Sequence, residues 1–125
     1  MMLLNKVLDV ALFVSRRLPK GLRETGTELI LKKELEIAGY KVAQQQPVIV
    51  TYAASNGEAL VVQTGFIDLI VTDEYDSRVG IELKVAQSVT VAHQHQAAGY
   101  AETLGIPVVA LAMTVNKNES CVMMP

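Results

Sequence analysis

Residues 66–72 and 79–86 constrain the fold more tightly than any other part of the chain. Both runs are apolar and β-branched, and the segment between them, Asp73-Glu74-Tyr75-Asp76-Ser77-Arg78, is polar and turn-like. That is the pattern of a β-hairpin. A turn centred on Tyr75 sets Asp68 opposite Glu82. Side chains facing each other across an antiparallel pair lie about 4.5–5.5 Å apart at Cβ, where like charges repel. Two carboxylates so placed among apolar neighbours ask for a cation. Lys84 points to the same face as Glu82, about 6.6 Å further along the strand. The arrangement suits a carboxylate pair holding a hard divalent ion, with a lysine beside it.

The rest of the chain must supply a core for this hairpin. At 125 residues, half of them hydrophobic, it fits a single domain over residues 1–125 with enough apolar surface to fold without staples. Cys121 is the one cysteine, which excludes an internal disulfide framework and a cysteine-based metal site and agrees with a reducing, cytoplasmic setting. Residues 1–14 are apolar but interrupted by Lys6 and Asp9, well short of the roughly 20 residues of a membrane span. They also lack the features of a signal peptide, so they read as a buried amphipathic helix with no membrane partner. The net charge of −2 points to no partner, but six of the eleven basic residues (Arg16, Arg17, Lys20, Arg23, Lys32 and Lys33) crowd into positions 16–33. A solvated helix face and a phosphate-facing patch both account for that cluster.

Apolar periodicity predicts a helix over 3–18, broken by Pro19-Lys20-Gly21. A second helix runs from 22 or 25 to 38, with Leu29, Ile30, Leu31, Leu35 and Ile37 inward and Gly39 as its stop. Residues 40–50 turn extended, 48–52 form a strand, 53–57 a turn, and 58–64 a short strand leading into the hairpin. A third helix spans 88–104, closed by Gly105, and 107–114 is a last buried strand. The predicted order is α-α-β-β-β-α-β, a mixed α/β domain.

The third helix carries His93, Gln96 and Tyr100 on one face, all able to hydrogen-bond a phosphate or a metal-bound water. On the second helix Glu24 and Glu28 are i, i+4 neighbours, and either could bring a third carboxylate to the hairpin. Oxygen-only ligands favour Mg²⁺ or Mn²⁺ over zinc. Such an ion polarises a phosphoryl oxygen and acidifies a bound water, and Lys84 could stabilise the developing charge or orient the attacking water. The same residues also fit plainer roles: Glu82 and Lys84 as a solvated ion pair, Asp68 as a turn cap, His93 and His95 as surface residues, Tyr100 as core.

Gly65-x-x-Asp68, Glu82-x-Lys84 and Gln96-x-x-x-Tyr100 together resemble the PD-(D/E)XK nuclease superfamily. The stretch from Ala11 to Glu24, with Gly21-x-x-Glu24, and the later Gly39, Gln46, Pro47 and Tyr52 are similar to its compact GxxExxY family. The resemblance covers residues 4–114. It implies a restriction-endonuclease-like core, a small mixed β-sheet flanked by helices. It also implies a Mg²⁺ or Mn²⁺ site made by Asp68, Glu82 and the Leu83 carbonyl, with Lys84, Gln96 and Glu24 completing the catalytic set. Glu24 takes the place of the first-helix acid, ahead of Glu28. The family tyrosine falls on Thr27 and a family histidine on Ser15. Tyr100, His93, Arg23 and Lys20 are the residues expected to meet substrate. The leading expectation is a metal-dependent nuclease whose partner is nucleic acid, DNA ahead of RNA. Its rivals are an inactive nucleic-acid-binding module on the same fold and a homodimeric assembly protein joined through the first helix.

Overall fold

Strict alternation in the last two central strands divides the molecule into layers. The computed structural model describes residues 2–114 and 117–124, with 117–123 described by their backbone alone. Three helices, α1 (Met2–Ser15), α2 (Glu24–Ile37) and α3 (Val91–Leu104), pack on one five-stranded sheet. Its strands are β1 (Lys41–Ala53), β2 (Ala59–Thr72), β3 (Arg78–Lys84), β4 (Val108–Thr114) and β5 (Lys117–Met123), in spatial order β1-β2-β3-β4-β5. Val79, Ile81 and Leu83 of β3, with Val109, Leu111 and Met113 of β4, face a core shared with Leu3, Val7, Ala11 and Val14 of α1 and Leu31 and Leu35 of α2. Val108 and Ala110 face the other way, into a smaller core under Ala97, Tyr100 and Ala101 of α3. Period-two alternation with both faces covered is what a central strand of a three-layer α/β domain requires.

β1, β2 and β3 form antiparallel pairs, whereas β3 and β4 run parallel, with Glu82 beside Ala110. A parallel pair needs a crossover connection, and α3 supplies it. Thr90 caps α3: its hydroxyl accepts from His93 N at 3.2 Å while Thr90 N donates to His93 Nδ1 at 3.1 Å. Gly105 ends the helix in the left-handed region at φ 68°, a conformation that costs a β-carbon-bearing residue energy.

Several expectations need correction. α1 ends at Ser15 and α3 begins at Val91, each three residues inside the predicted limit, because Arg16 and Arg17 lie in a turn and Thr90, not a residue near Ser88, provides the cap. The two predicted segments over 58–72 are one continuous strand, β2, paired along its length with β1, and β3 stops at Lys84 rather than Ala86. A fifth strand, β5, pairs antiparallel with β4 and follows the predicted order; the Cys121 side chain lies outside the described residues. On α2, Leu29 and Ile37 are 58% and 66% exposed, and the polar Thr27 and Glu28 are buried instead. The inward stripe of α2 is therefore 27, 28, 31 and 35, which turns a polar first half of the helix toward the hairpin. The apolar stripe of α1 is spent inside the chain's own core.

Candidate active site

The β2–β3 ladder pairs Thr72 with Arg78, Val71 with Val79, Ile70 with Gly80 and Leu69 with Ile81, and there it stops. The next pair in register is Asp68 and Glu82, the two carboxylates expected to face each other. Here side chains replace main-chain bonds. Asp68 N donates to Glu82 Oε1 at 3.0 Å, and Leu83 N donates to Asp68 Oδ2 at 2.7 Å. Each carboxylate thus crosses to the opposing strand and accepts from its backbone. The strands separate at this point without leaving buried N–H groups unpaired.

The opposite neighbour of β2 is disturbed at the same level. Gln44 pairs with Leu69 and Gln46 with Ile67, while Gln45 and Asp68 between them are unpaired. Gln45 adopts φ 49°, left-handed backbone that non-glycine residues rarely occupy. Facing also switches here: Ile67 packs in the α3 core, but Leu69 packs in the α1/α2 core. The distortion aims the Gln45 amide at two acids at once. Its Nε2 lies 3.0 Å from Glu28 Oε1 and 3.1 Å from Asp68 Oδ1, while Gln44 Nε2 holds Glu28 Oε2 at 2.8 Å. Glu28, set aside in favour of Glu24 on the sequence, is therefore tied to Asp68 through one amide. Nothing in a Gln-Gln-Gln run announces this, since glutamine is not a residue expected at positive φ; the i, i+4 spacing of Glu24 and Glu28 was the one available signal.

Glu24 meets the site from the other side, with Oε1 at 3.7 Å from Lys84 Nζ. Arg23 is the N-cap residue of α2, next to Glu24, and makes no side-chain cap; Lys20 is exposed in the preceding turn. Gln96 is exposed on α3 and its Nε2 lies 3.4 Å from the Tyr100 hydroxyl. Tyr100 is buried against the sheet, and Gly65 makes room for it: a Cβ at Gly65 would stand 2.5 Å from the Tyr100 hydroxyl oxygen. The structure thus brings Glu24, Glu28, Asp68, Glu82, Lys84, Tyr100 and Gln96 to one end of the sheet. His93 is the exception, its Nδ1 committed to the α3 cap. Thr27 and Ser15 turn their hydroxyls back onto the Arg23 and Leu12 carbonyls of their own segments.

The electrostatics follow from this packing. Glu82 is only 4% exposed. Burial first, and the charge of Asp68 second, push its carboxyl from the ordinary 4.5 up to about 8; Lys84 opposes the rise. Burial also raises Glu28, against the lowering hydrogen bond from Gln44. The Tyr100 hydroxyl is raised by burial and then by the charge of Glu82, which places the ring's oxygen within the field of the carboxylate pair. A buried acid whose anion is penalised by its surroundings is a group that a cation would relieve. The donors on offer are carboxylate and carbonyl oxygens, which suit Mg²⁺ or Mn²⁺. Among the described residues no three His, Cys, Asp or Glu side chains converge as a closed metal cage. Asp68 and Glu82 could serve as two carboxylate ligands, leaving the remaining positions to non-protein oxygens, the open coordination that Mg²⁺ keeps for substrates.

A family model described as PD-(D/E)XK nuclease superfamily matches residues 2–121. None of the curated proteins matches the chain. Among solved structures, the crystal structure of SSO0001 is similar at a TM-score of 0.59 and 15% identity, over 80% of this chain and 47% of that one. The chain spans about half the length of that protein, and at this identity the likeness concerns the fold.

Proposed function

The chain belongs to the PD-(D/E)XK nuclease superfamily, and we propose that it is a divalent-metal-dependent nuclease of the GxxExxY branch, cutting phosphodiester bonds in nucleic acid. The observation that carries this reading is the crossed carboxylate pair, Asp68 on Leu83 N and Glu82 on Asp68 N, with Lys84 next along the strand. Asp68, Glu82 and the Leu83 carbonyl would hold Mg²⁺ or Mn²⁺, which supplies Lewis-acid polarisation of the phosphate and a more acidic water.

The chain's own residues do the rest. Lys84, half-held by Glu24 at 3.7 Å, is the cation that can stabilise charge growing on the phosphoryl oxygens. Glu24 sets where that ammonium stands. Gln45 and Gln44 fix Glu28 beside Asp68, so the carboxylates keep their mutual placement when the ion's charge is absent. Gln96 and the Tyr100 hydroxyl offer hydrogen bonds to the substrate backbone. Arg23, next to Glu24 in the chain, and Lys20 are exposed at the turn into α2 and would attract phosphates.

The test is cleavage of labelled single- and double-stranded DNA and RNA with Mg²⁺ or Mn²⁺. Wild-type protein should cut at least one substrate, and Glu82→Gln and Lys84→Ala should not. A metal-dependent rise in melting temperature that Asp68→Asn abolishes should accompany it. Protein that neither responds to these ions nor cuts any of the four substrates overturns the proposal.

A homodimeric state is a second reading, supported by exposed apolar surface on the β1–β2 arm. An open apolar surface lies on the β1–β2 arm, where Tyr52, Leu60, Val62 and Phe66 are exposed on the face away from α3. Between Val48 and Ile67 the only charge is Glu58, and a projecting two-stranded ribbon is marginal by itself in water. Light scattering should give twice the chain mass, and Val62→Lys should halve it; a monomeric wild type removes this reading.

A further inference from the structure

A cleft of about 600 Å³ opens beside the candidate active site, between the outer face of α3 and the β1–β2 arm. Its walls include Thr51 and Gln63 from the arm and His95, Gln96, Gly99 and Thr103 from α3. Tyr100 also lines it, with its hydroxyl in the field of Glu82 and Asp68. Gln96 and Tyr100 are therefore a shared wall: one side looks onto the carboxylate pair, the other onto the cleft.

The lining says what could enter. Among the described residues no lysine or arginine lines the cleft, and Glu102 adds a negative charge, so a phosphate would find no cation there. A cation stands on the carboxylate side of the site, where Lys84 Nζ lies 3.7 Å from Glu24 Oε1. The cleft instead offers the amides of Gln63 and Gln96, the hydroxyls of Thr51 and Thr103, the His95 ring, and an apolar contribution from Ile49 and Val50. A flat heterocycle with donors and acceptors around its rim satisfies that set, by stacking and by edge hydrogen bonds. The volume falls within the roughly 300–1,000 Å³ of small-ligand sites. Gly99 lies exposed in this lining, and a Cβ there would meet nothing within 4 Å. The helix thus leaves open space where the ring would lie.

We propose that this cleft receives an unpaired nucleobase next to the scissile phosphate, so that the substrate is single-stranded or frayed nucleic acid rather than intact duplex. The proposal rests on the nuclease reading above. In a duplex the bases are stacked and their edges paired, so the cleft could be filled only by extruding one. A strand already unpaired lays its phosphate on the Lys84 side and its base on the Gln63–His95 side without that penalty.

The experiment compares cleavage, in Mn²⁺, of one labelled strand presented alone, in a blunt duplex, and in a duplex with an unpaired overhang. Glu82→Gln serves to measure binding of the same three molecules by fluorescence anisotropy. Wild type should cut the single strand and the overhang at least tenfold faster than the blunt duplex. Gly99→Leu fills open space on an exposed helical position with a better helix former, so its melting temperature should not fall. It should lose tenfold or more on the single strand while its melting temperature holds; Gly99→Ala should behave as wild type. Blunt duplex cut as fast as single strand, or Gly99→Leu cutting single strand like wild type, overturns the cleft's role while the nuclease reading stands. Absence of both cleavage and binding for all three molecules removes the two together.

Discussion

Replacing Glu82 by glutamine should stabilise the metal-free protein while abolishing its activity, and the size of the gain can be worked out. In the unfolded chain Glu82 ionises with an ordinary pKa of 4.5, whereas in the fold burial and Asp68 hold it at about 8. A group whose folded pKa is raised favours the fold fully below the unfolded pKa and loses that advantage as pH climbs through the folded one. The window is therefore pH 4.5 to 8. At pH 7 roughly 2.5 pH units of it have been crossed, and at 1.36 kcal/mol per unit the folded state has given up about 3 kcal/mol. Glutamine has no charge to lose. Its Oε1 can still accept from Asp68 N, the bond that Glu82 makes at 3.0 Å, so the split between the strands stays satisfied.

For a domain of this size such a gain corresponds to roughly 10 °C in melting temperature. The assay is thermal unfolding of wild type and Glu82→Gln in chelator, between pH 4.5 and 8. The two curves should coincide near pH 4.5 and separate steadily above it, with the variant higher. Saturating Mg²⁺ should then raise wild type, by about 2.7 kcal/mol at a hundredfold excess over Kd, and leave the variant where it was. A separation that does not change with pH, or a variant less stable than wild type at pH 8, would mean that Glu82 is not a charge held against its environment.

Other perturbations isolate other parts of the site. Gly65→Ala puts a methyl 2.5 Å from the Tyr100 hydroxyl oxygen and should cost about 1–3 kcal/mol through overpacking, measured by urea titration; adding Tyr100→Phe should recover most of it. Lys84→Ala should lose activity in the cleavage assay but change stability by less than about 1 kcal/mol, since its partner Glu24 is 43% exposed and such pairs are weak. Gln45→Gly should relax the left-handed backbone at φ 49° yet free Glu28 from Asp68. Half-saturation for Mn²⁺ in a thermal-shift titration should then rise several-fold, and an unchanged midpoint would show that the amide bridge does not organise the acids.

The reach of the sequence can be judged from these residues. Turn composition and strand alternation were enough to set Asp68 against Glu82, because the register observed from Thr72–Arg78 to Leu69–Ile81 follows directly from a turn at Tyr75. Gly105 and the buried run 108–114 were legible for the same reason, a local signal not opposed by tertiary contacts. Leu29 and Ile37 face solvent because apolarity on a helix does not by itself set inwardness. What turns α2 is the polar contact of Glu28 with Gln44 and Gln45, and those partners are 16 and 17 residues away. The strand β5, from Lys117 to Met123, carries a polar start, Lys-Asn-Glu-Ser, that hides its pairing with β4.

The feature least visible in the sequence is the one on which fold and chemistry meet. A hairpin that continued its ladder through Asp68 and Glu82 would bury two like charges side by side and use all its N–H groups on carbonyls. Instead the strands part, and each acid takes a backbone N–H from the other strand. This arrangement keeps the acids together without a cation, but only by leaving Glu82 with a pKa near 8. A cation drawn into that position would compete for the same oxygens while relieving the same repulsion. Its binding and the local spacing of β2 and β3 are thereby coupled, since the oxygens that close the gap between the strands are the ones that would face the ion. The left-handed Gln45 on the outer strand, with one amide on Glu28 and Asp68, holds the third acid in register with that gap. The site is in this sense a controlled interruption of the sheet.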